Sequence, residues 1–238
     1  MKSLAGRTAV VTGASRGIGA GIAAALAADG VQVVLLARNE AKLKERSASL
    51  KGSIPIVCDV TSPDSVQKAA KRILSELKRA PDILVNNAGI FGVSTVEETS
   101  ADFFIDTINT NLIGPFLLVR AFLGEMKKRK TGHVITIGSI ADRMIFTGNA
   151  AYSAAKFGLR ATHEVLRAEL QGTGVRTTLV SPAATDTDIW NTVTVTDPAG
   201  KPHSKRPMLD PDDVVRAVMF ALSQPDHVSI DELRLSHS

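Results

Sequence analysis

The sequence predicts an open α/β fold: a doubly wound parallel sheet of about seven strands with helices on both faces. Three observations carry this. Short runs rich in Val, Ile, Leu and Thr recur along the 238 residues, and most are apolar throughout, as strands covered on both faces are. Longer stretches with helical periodicity separate them. The order strand, helix, strand repeats along the chain, which implies right-handed crossovers and parallel pairing.

Taken in order, the strands are expected at Thr8–Thr12, Val31–Ala37, Ile54–Cys58, Ile83–Asn86, His133–Ile137, Val175–Val180 and Val228–Leu235. Helices are expected near 17–29, 40–50, 63–79, 102–129, 150–171 and 211–223. Thr61-Ser62-Pro63 and Asp210-Pro211 place proline in a first helical turn behind a capping residue. Lys127-Lys128-Arg129-Lys130 falls where cations complement a helix C-terminus. No internal repeat or low-complexity stretch interrupts the pattern, so one domain spanning 1–238 is expected.

With 44% hydrophobic and 22% charged residues, the composition excludes disordered and collagen-like classes. Formal charge is only +4, its basic residues are scattered, and aromatics are 4%, so no nucleic-acid partner is expected. Uncharged segments such as Gly17–Ala28 are too short to span a membrane, which takes about 20 residues, and the first residues carry no leader pattern. One cysteine, Cys58, allows no internal disulfide and reads as core filling. A cytoplasmic protein is therefore expected. His133, His163 and His203 lack metal-ligand spacing; they are expected at the surface or at strand edges, with no metal site.

In such a sheet, ligands bind beyond the carboxyl ends of the strands. The first strand ends in Thr12-Gly13-Ala14-Ser15-Arg16-Gly17-Ile18-Gly19 and opens into a helix. Glycines there permit a tight turn and a close approach to a pyrophosphate, whose charge the helix N–H groups accept. No G-x-x-x-x-G-K-[ST] is present, which disfavours a phosphate-loop NTPase.

The spacing T-G-x-x-x-G-x-G resembles the short-chain dehydrogenase/reductase family, and the resemblance covers nearly the whole chain. Asp59, Asn86-Asn87-Ala88-Gly89, Asn111-Leu112-Ile113-Gly114, Ser139 and Tyr152-x-x-x-Lys156 stand in family order, with Ser139 and Tyr152 13 residues apart. The resemblance implies a Rossmann-type fold and a nicotinamide cofactor held by Gly13, Ser15, Arg16, Gly17, Ile18 and Gly19. Asp59 and Val60 would flank the adenine, and the loop with Asn87, Ala88 and Gly89 would support the ribose side. Pro182, Thr185 and Thr187 would embrace the carboxamide. One departure is Ala183, where the family has glycine. The resemblance also implies a homodimer or homotetramer, pairing the helices near 102–129 and 150–171.

Charge selects the cofactor. NAD-binding chains place a carboxylate near the end of the second strand, whereas this strand ends Ala37-Arg38. Arg38 and Arg16 suit a 2′-phosphate, so NADP(H) is expected. Tyr152 and Lys156 lie four apart on one helical face. The positive charge of Lys156 would favour the phenolate and bring the tyrosine down from its ordinary value near 10. Tyr152 would then pass a proton to a carbonyl oxygen that Ser139 orients while hydride reaches the carbon. The resemblance adds a ribose contact for Lys156, as well as for Asn111 a cofactor contact and a water relay. Taken singly, Ser139 is a cap, Asn111 a turn former, Tyr152 a strut and Lys156 a solvated residue; the tetrad in register is a catalytic set.

The substrate is expected to be a small carbonyl or hydroxyl compound held by Phe91, Met144, Phe146 and Trp190, together with Ser139 and Tyr152. Residues 188–209 read as a lid. The short C-terminus looks closer to the general carbonyl reductases than to the acyl-carrier ketoreductases. Alternatives are a 3-oxoacyl-thioester reductase and a non-catalytic NADP(H)-binding sensor; an epimerase of the extended relatives would need a larger C-terminal domain.

Overall fold

Seven strands form one sheet in the order β3-β2-β1-β4-β5-β6-β7, with every neighbouring pair parallel. They are β1 (Thr8–Thr12), β2 (Gln32–Ala37), β3 (Ile54–Val57), β4 (Ile83–Asn86), β5 (Gly132–Ile137), β6 (Val175–Pro182) and β7 (Glu232–Leu235). The helices are α1 (Gly17–Ala28), α2 (Glu40–Ser49), α3 (Pro63–Leu77), α4 (Ala101–Ile108), α5 (Gly114–Arg129), α6 (Ala150–Glu169) and α7 (Pro211–Leu222). This is a computed structural model, and it describes residues 2–191, 193 and 207–238.

The apolar strand runs are explained by two cores, one on each face. Val10 pairs with Val34 and Leu84, and all three join Ile73 of α3 and Phe122 of α5. The next residue, Val11, pairs with Leu35 and Val85, which join Ile22 of α1 and Val214 of α7. Successive side chains thus feed opposite layers, each burial contributing about 1.5–3 kcal/mol. Ser62 caps α3 behind Pro63, and Asp210 closes a capping box with Asp213 at α7.

Two elements differ from expectation. The stretch 102–129 is not one regular helix: α4 and α5 are joined by a wide π turn at Asn109–Ile113. Pro115 has no N–H to donate, and its ring would crowd the carbonyl four residues back, which belongs to Asn111. The last strand is shorter than Val228–Leu235, because the Arg176 guanidinium binds the carbonyls of Pro225 and Val228 at 3.1 and 2.9 Å and holds that segment off the ladder.

The expectation for the histidines is overturned. His133 is 1% exposed on β5, between two strands, and His163 is 2% exposed on α6. Each has a threonine partner: His133 Nε2 meets Thr178 Oγ1 at 2.8 Å and His163 Nδ1 meets Thr136 Oγ1 at 3.0 Å. Burial pushes them down to about 3 and about 4, so both are neutral struts at physiological pH. His203 lies outside the described residues, as does most of the expected lid.

Candidate active site

β1 is the switch point: the chain runs outward from it through β2 and β3, then returns to its other side at β4. A crevice opens beyond the strand ends there, as the topology requires. Thr12, at the end of β1, clamps the loop after β4, its hydroxyl accepting from Asn87 and Ala88 N–H at 2.8 and 2.9 Å. Asn87 Nδ2 returns a bond to Thr12 O at 2.9 Å. Gly13 and Gly17 have φ of +63° and +54°, where a side chain is strained. At Gly19 a Cβ would stand 2.4 Å from Asn87 Nδ2 and 2.5 Å from Gly13 O, so no larger residue fits.

The start of α1 is open to an anion. Side chains of Asn39, Ser62, Ser100 and Asp210 cap α2, α3, α4 and α7, whereas α1 has no side-chain cap and no acidic residue in its first turn. Its first N–H groups therefore keep capacity for a phosphate. This cradle fits a dinucleotide, and Arg16, Arg38 and Lys42 line the same cavity.

That cavity is about 660 Å³, of ordinary size for a cofactor and small substrate. Gly13, Ser15, Arg16, Gly17, Ile18, Arg38, Val60, Asn87, Ala88 and Gly89 line one end. Ser139, Tyr152, Lys156, Pro182, Thr185, Thr187, Phe91, Phe146 and Trp190 line the rest. Four expected residues do not line it. Gly19 lies behind the loop, and Asp59 turns its carboxylate to Thr61 at 2.8 and 3.0 Å. Asn111 engages both ends of its amide with the Ile90 backbone, at 2.8 Å each, and so braces the loop after β4. Met144 is 51% exposed.

Residues that the sequence did not assign to cofactor or substrate also line the cavity. Asn39, Lys42, Cys58, Asn149 and Asp188 are among them. Lys42 carried a signal, a cation in the first helical turn after Arg38. Cys58 fills the core as expected and reaches the cavity wall as well. Ala183 has no positive φ, so the glycine usual there in the family is not required.

Ser139 follows β5 and is both cap and site residue: its hydroxyl accepts from Ala141 N at 3.1 Å and lies near enough to the Tyr152 phenol to lower its pKa. Tyr152 and Lys156 share a face of α6, with Lys156 Nζ 5.5 Å from the phenol ring centre and donating to Ile137 O at 2.9 Å. Phe91 meets Tyr152 edge-on at 4.9 Å and Trp190 at 4.8 Å, so Phe91 links the tyrosine to the tryptophan in one aromatic row.

Burial dominates the protonation of the pair. Burial pushes the Tyr152 phenol up to about 12, the Ser139 hydroxyl opposing it and Asp142 adding to it. Burial brings Lys156 down to about 8, against the charge of Asp142. The protein's own groups therefore hold Tyr152 as a phenol, a proton donor, near neutral pH. Lys156 is 6% exposed, and loss of solvent disfavours the charged form of each group.

Residues 7–197 match the family model described as short chain dehydrogenase. The chain belongs to the short-chain dehydrogenase/reductase family. As a member it is an oxidoreductase, and its relatives bear on the site. It is 35% identical over 238 residues to an uncharacterized oxidoreductase of Staphylococcus saprophyticus, covering 98% of both chains. It is 38% identical over 237 residues to glycine betaine reductase ATRR of Emericella nidulans, covering 97% of this chain but only 18% of that one. An alcohol dehydrogenase from the archaeon Thermococcus sibiricus, solved with 5-hydroxy-NADP, superposes with a TM-score of 0.86 at 31% identity, over 96% of this chain and 95% of that one. A metagenomic short-chain oxidoreductase in complex with NADP superposes at 0.83 with 33% identity over 100% of both. Among the described residues, no helix is long and apolar enough to cross a membrane, and no cluster of metal-ligating side chains occurs.

Proposed function

We propose that this oxidoreductase reduces a small carbonyl compound with NADPH, or runs the reverse oxidation. The observation that carries the reading is Tyr152, held as a proton donor between Ser139 and Lys156 in the cavity that also contains the uncapped α1 N-terminus. A bound nicotinamide supplies hydride chemistry; the rest is the chain's. The Gly13–Gly19 loop would hold the phosphates, and Arg16 and Arg38 would hold a 2′-phosphate, an assignment that two NADP-bound structural neighbours support. Pro182, Thr185 and Thr187 orient the carboxamide, and Val60 bounds the adenine. Ser139 donates to the carbonyl oxygen while Tyr152 delivers its proton there, and the charge on Lys156 stabilises the phenolate that results. Lys156 also holds the ribose. Asn111 fixes Ile90 with its side chain, and a water at its π turn returns the proton.

Phe91, Phe146 and Trp190 make the substrate wall apolar, which favours a neutral carbonyl carbon skeleton over a strongly charged one. Residues 1–238 act as a single unit. Exposed Phe104, Ile105 and Phe116 on α4 and α5, with Phe157 and Val165 on α6, give the homodimer or homotetramer its contact faces. A cytoplasmic setting suits the free, buried thiol of Cys58.

The test is NADPH oxidation against a panel of aldehydes, ketones, keto acids and β-ketoacyl thioesters, followed by Tyr152→Phe on the best substrate. Tyr152→Phe should lose about 10²–10⁴-fold in kcat with NADPH affinity unchanged, because only the transferable proton is removed. Turnover near the parent's in that variant would sink the mechanism.

A further inference from the structure

Asp142 closes the short 3₁₀ turn Ile140–Asp142 that begins at Ser139, and its side chain is 0% exposed. A carboxylate in that position costs several kcal/mol unless it is paired and hydrogen-bonded. Ser181 Oγ on β6 donates to Oδ2 at 2.6 Å, and Arg143 Nε donates to Oδ1 at 2.6 Å. Arg160, one turn beyond Lys156 on α6, stands 3.9 Å from the same Oδ1. Glu232 on β7 binds Arg143 and lies 3.9 Å from Arg160, so two carboxylates alternate with two guanidinium groups.

The space for this carboxylate is made by a particular residue. A Cβ at Gly138 would stand 2.7 Å from Ser181 Oγ and 3.1 Å from Asp142 Oδ2. Gly138, Asp142 and Ser181 therefore form one arrangement, and any side chain at 138 would disturb it. An ion network tying the turn to β7 needs only Arg143 and Glu232. Asp142 is instead turned inward: one oxygen accepts from Ser181, and the other stands 3.9 Å from Arg160, one turn along α6 from Lys156.

We propose that Asp142 is a positioning residue of the active site, a carboxylate built in behind Ser139 whose charge keeps Lys156 an ammonium and Tyr152 a proton donor, so that the site stands ready for carbonyl reduction. The proposal rests on the reading of Tyr152 and Lys156 as the acid–base pair. Lys156 is enclosed, and burial brings it down to about 8 against the opposing charge of Asp142. The same charge disfavours the phenolate. The other charged groups facing Asp142 are Arg143 on its own turn, Arg160 on α6 and, through those arginines, Glu232 on β7.

Asp142→Asn tests it, because asparagine keeps the shape and can bond both Ser181 and Arg143 but carries no charge. The measurement is kcat/KM for NADPH-driven reduction as a function of pH in the parent, Asp142→Asn and Ser181→Ala. The parent should lose activity as pH rises through about 8, where Lys156 deprotonates. In Asp142→Asn that limb should move down by about one pH unit, leaving the variant about tenfold slower above the limb and close to the parent below it. Ser181→Ala retains the carboxylate and should leave the limb in place. A limb that stays put in Asp142→Asn, whatever the rate, overturns the proposal, as does an equal shift in Ser181→Ala, which would mark packing rather than charge. Should Asp142→Asn fail to fold, the smaller Asp142→Ser is titrated in its place, with the same two outcomes. A parent that reduces no carbonyl, or a Tyr152→Phe variant that keeps its turnover, overturns the acid–base reading itself and is scored separately.

Discussion

At the glycine-loop end of the cavity the important groups are backbone; at the tyrosine end they are side chains. The loop end consists of Thr12, Gly13, Gly19 and Asn87 in mutual contact at the edge of β1 and β4, with helix N–H groups left open beside them. Its geometry is set by sheet register and by the absence of side chains, so spacing in the chain is nearly spacing in space. The tyrosine end is assembled by Phe91, Phe146 and Trp190 from three separate segments, and their convergence on one cavity depends on how each segment folds. An end built of backbone admits few substitutions and serves one ligand type. An end built of side chains can change its occupant without changing the fold.

The largest expected effect lies at the backbone end. Ala37→Asp with Arg38→Ser places a carboxylate where a 2′-phosphate would sit and removes one of its two guanidinium partners. Losing one charge-assisted bond of about 1.5–3 kcal/mol, with the new carboxylate repelling the phosphate, should lower the ratio of kcat/KM for NADPH to that for NADH by at least one to two orders of magnitude. A parent that already prefers NADH would refute the arginine pair before any substitution is made.

The acid response of the fold comes next, and it sits beneath both ends. His133 and His163 titrate far below their unfolded value of about 6.5, so the unfolded chain binds protons first. Stability is full above pH 6.5 and is lost as pH falls toward 4 and then 3. Thermal midpoints recorded at pH 7 and pH 5 should differ clearly, and His163→Gln should reduce the difference. Equal midpoints would contradict neutral burial.

The histidines also show where the sequence stops being legible. The fold class, the glycine loop and the Ser139, Tyr152 and Lys156 set were readable, because hydrophobic runs mark strands and a strand-end address carries its own geometry. The places of His133 and His163 were not: a histidine among threonines on a strand looks the same whether its neighbours are water or β6. The π turn was hidden for a related reason. Pro115 announced a disturbance, but whether the helix would break or widen depended on Asn111 finding Ile90 across the site. Asp142 gave no signal, since its partners Ser181 and Arg160 lie 39 and 18 residues away, and Glu232, which shares its arginines, lies 90 away.

A smaller effect separates two glycines. Gly19→Ala must push against Asn87 and Gly13 at 2.4 and 2.5 Å and should cost about 1–3 kcal/mol, with a raised KM for the nucleotide. Gly124→Ala, within α5 with nothing inside 4 Å of its new Cβ, should add about 0.5–1 kcal/mol of stability. Denaturant midpoints measure both, and a tolerated alanine at 19 would mean that the loop end is less rigid than its contacts imply.

The smallest expected effect tests the side-chain end. Sequence position makes Met144 and Phe146 equivalent candidates, two residues apart between Ser139 and Tyr152, yet only Phe146 lines the cavity while Met144 is 51% exposed. Met144→Ala should therefore leave kcat/KM for the carbonyl substrate within about twofold of the parent, as surface substitutions usually do. Phe91→Ala removes the ring that touches both Tyr152 and Trp190, and should raise the substrate KM and change the order of preference among substrates more than the rate of the best one. Trp190 is the single tryptophan of the chain, so its fluorescence reports on this wall directly. Phe91→Ala should shift its emission; Met144→Ala should not. If Met144→Ala moved the emission or the substrate order, the exposed side chain would be reaching the site in solution, and the tyrosine end would extend beyond the walls described.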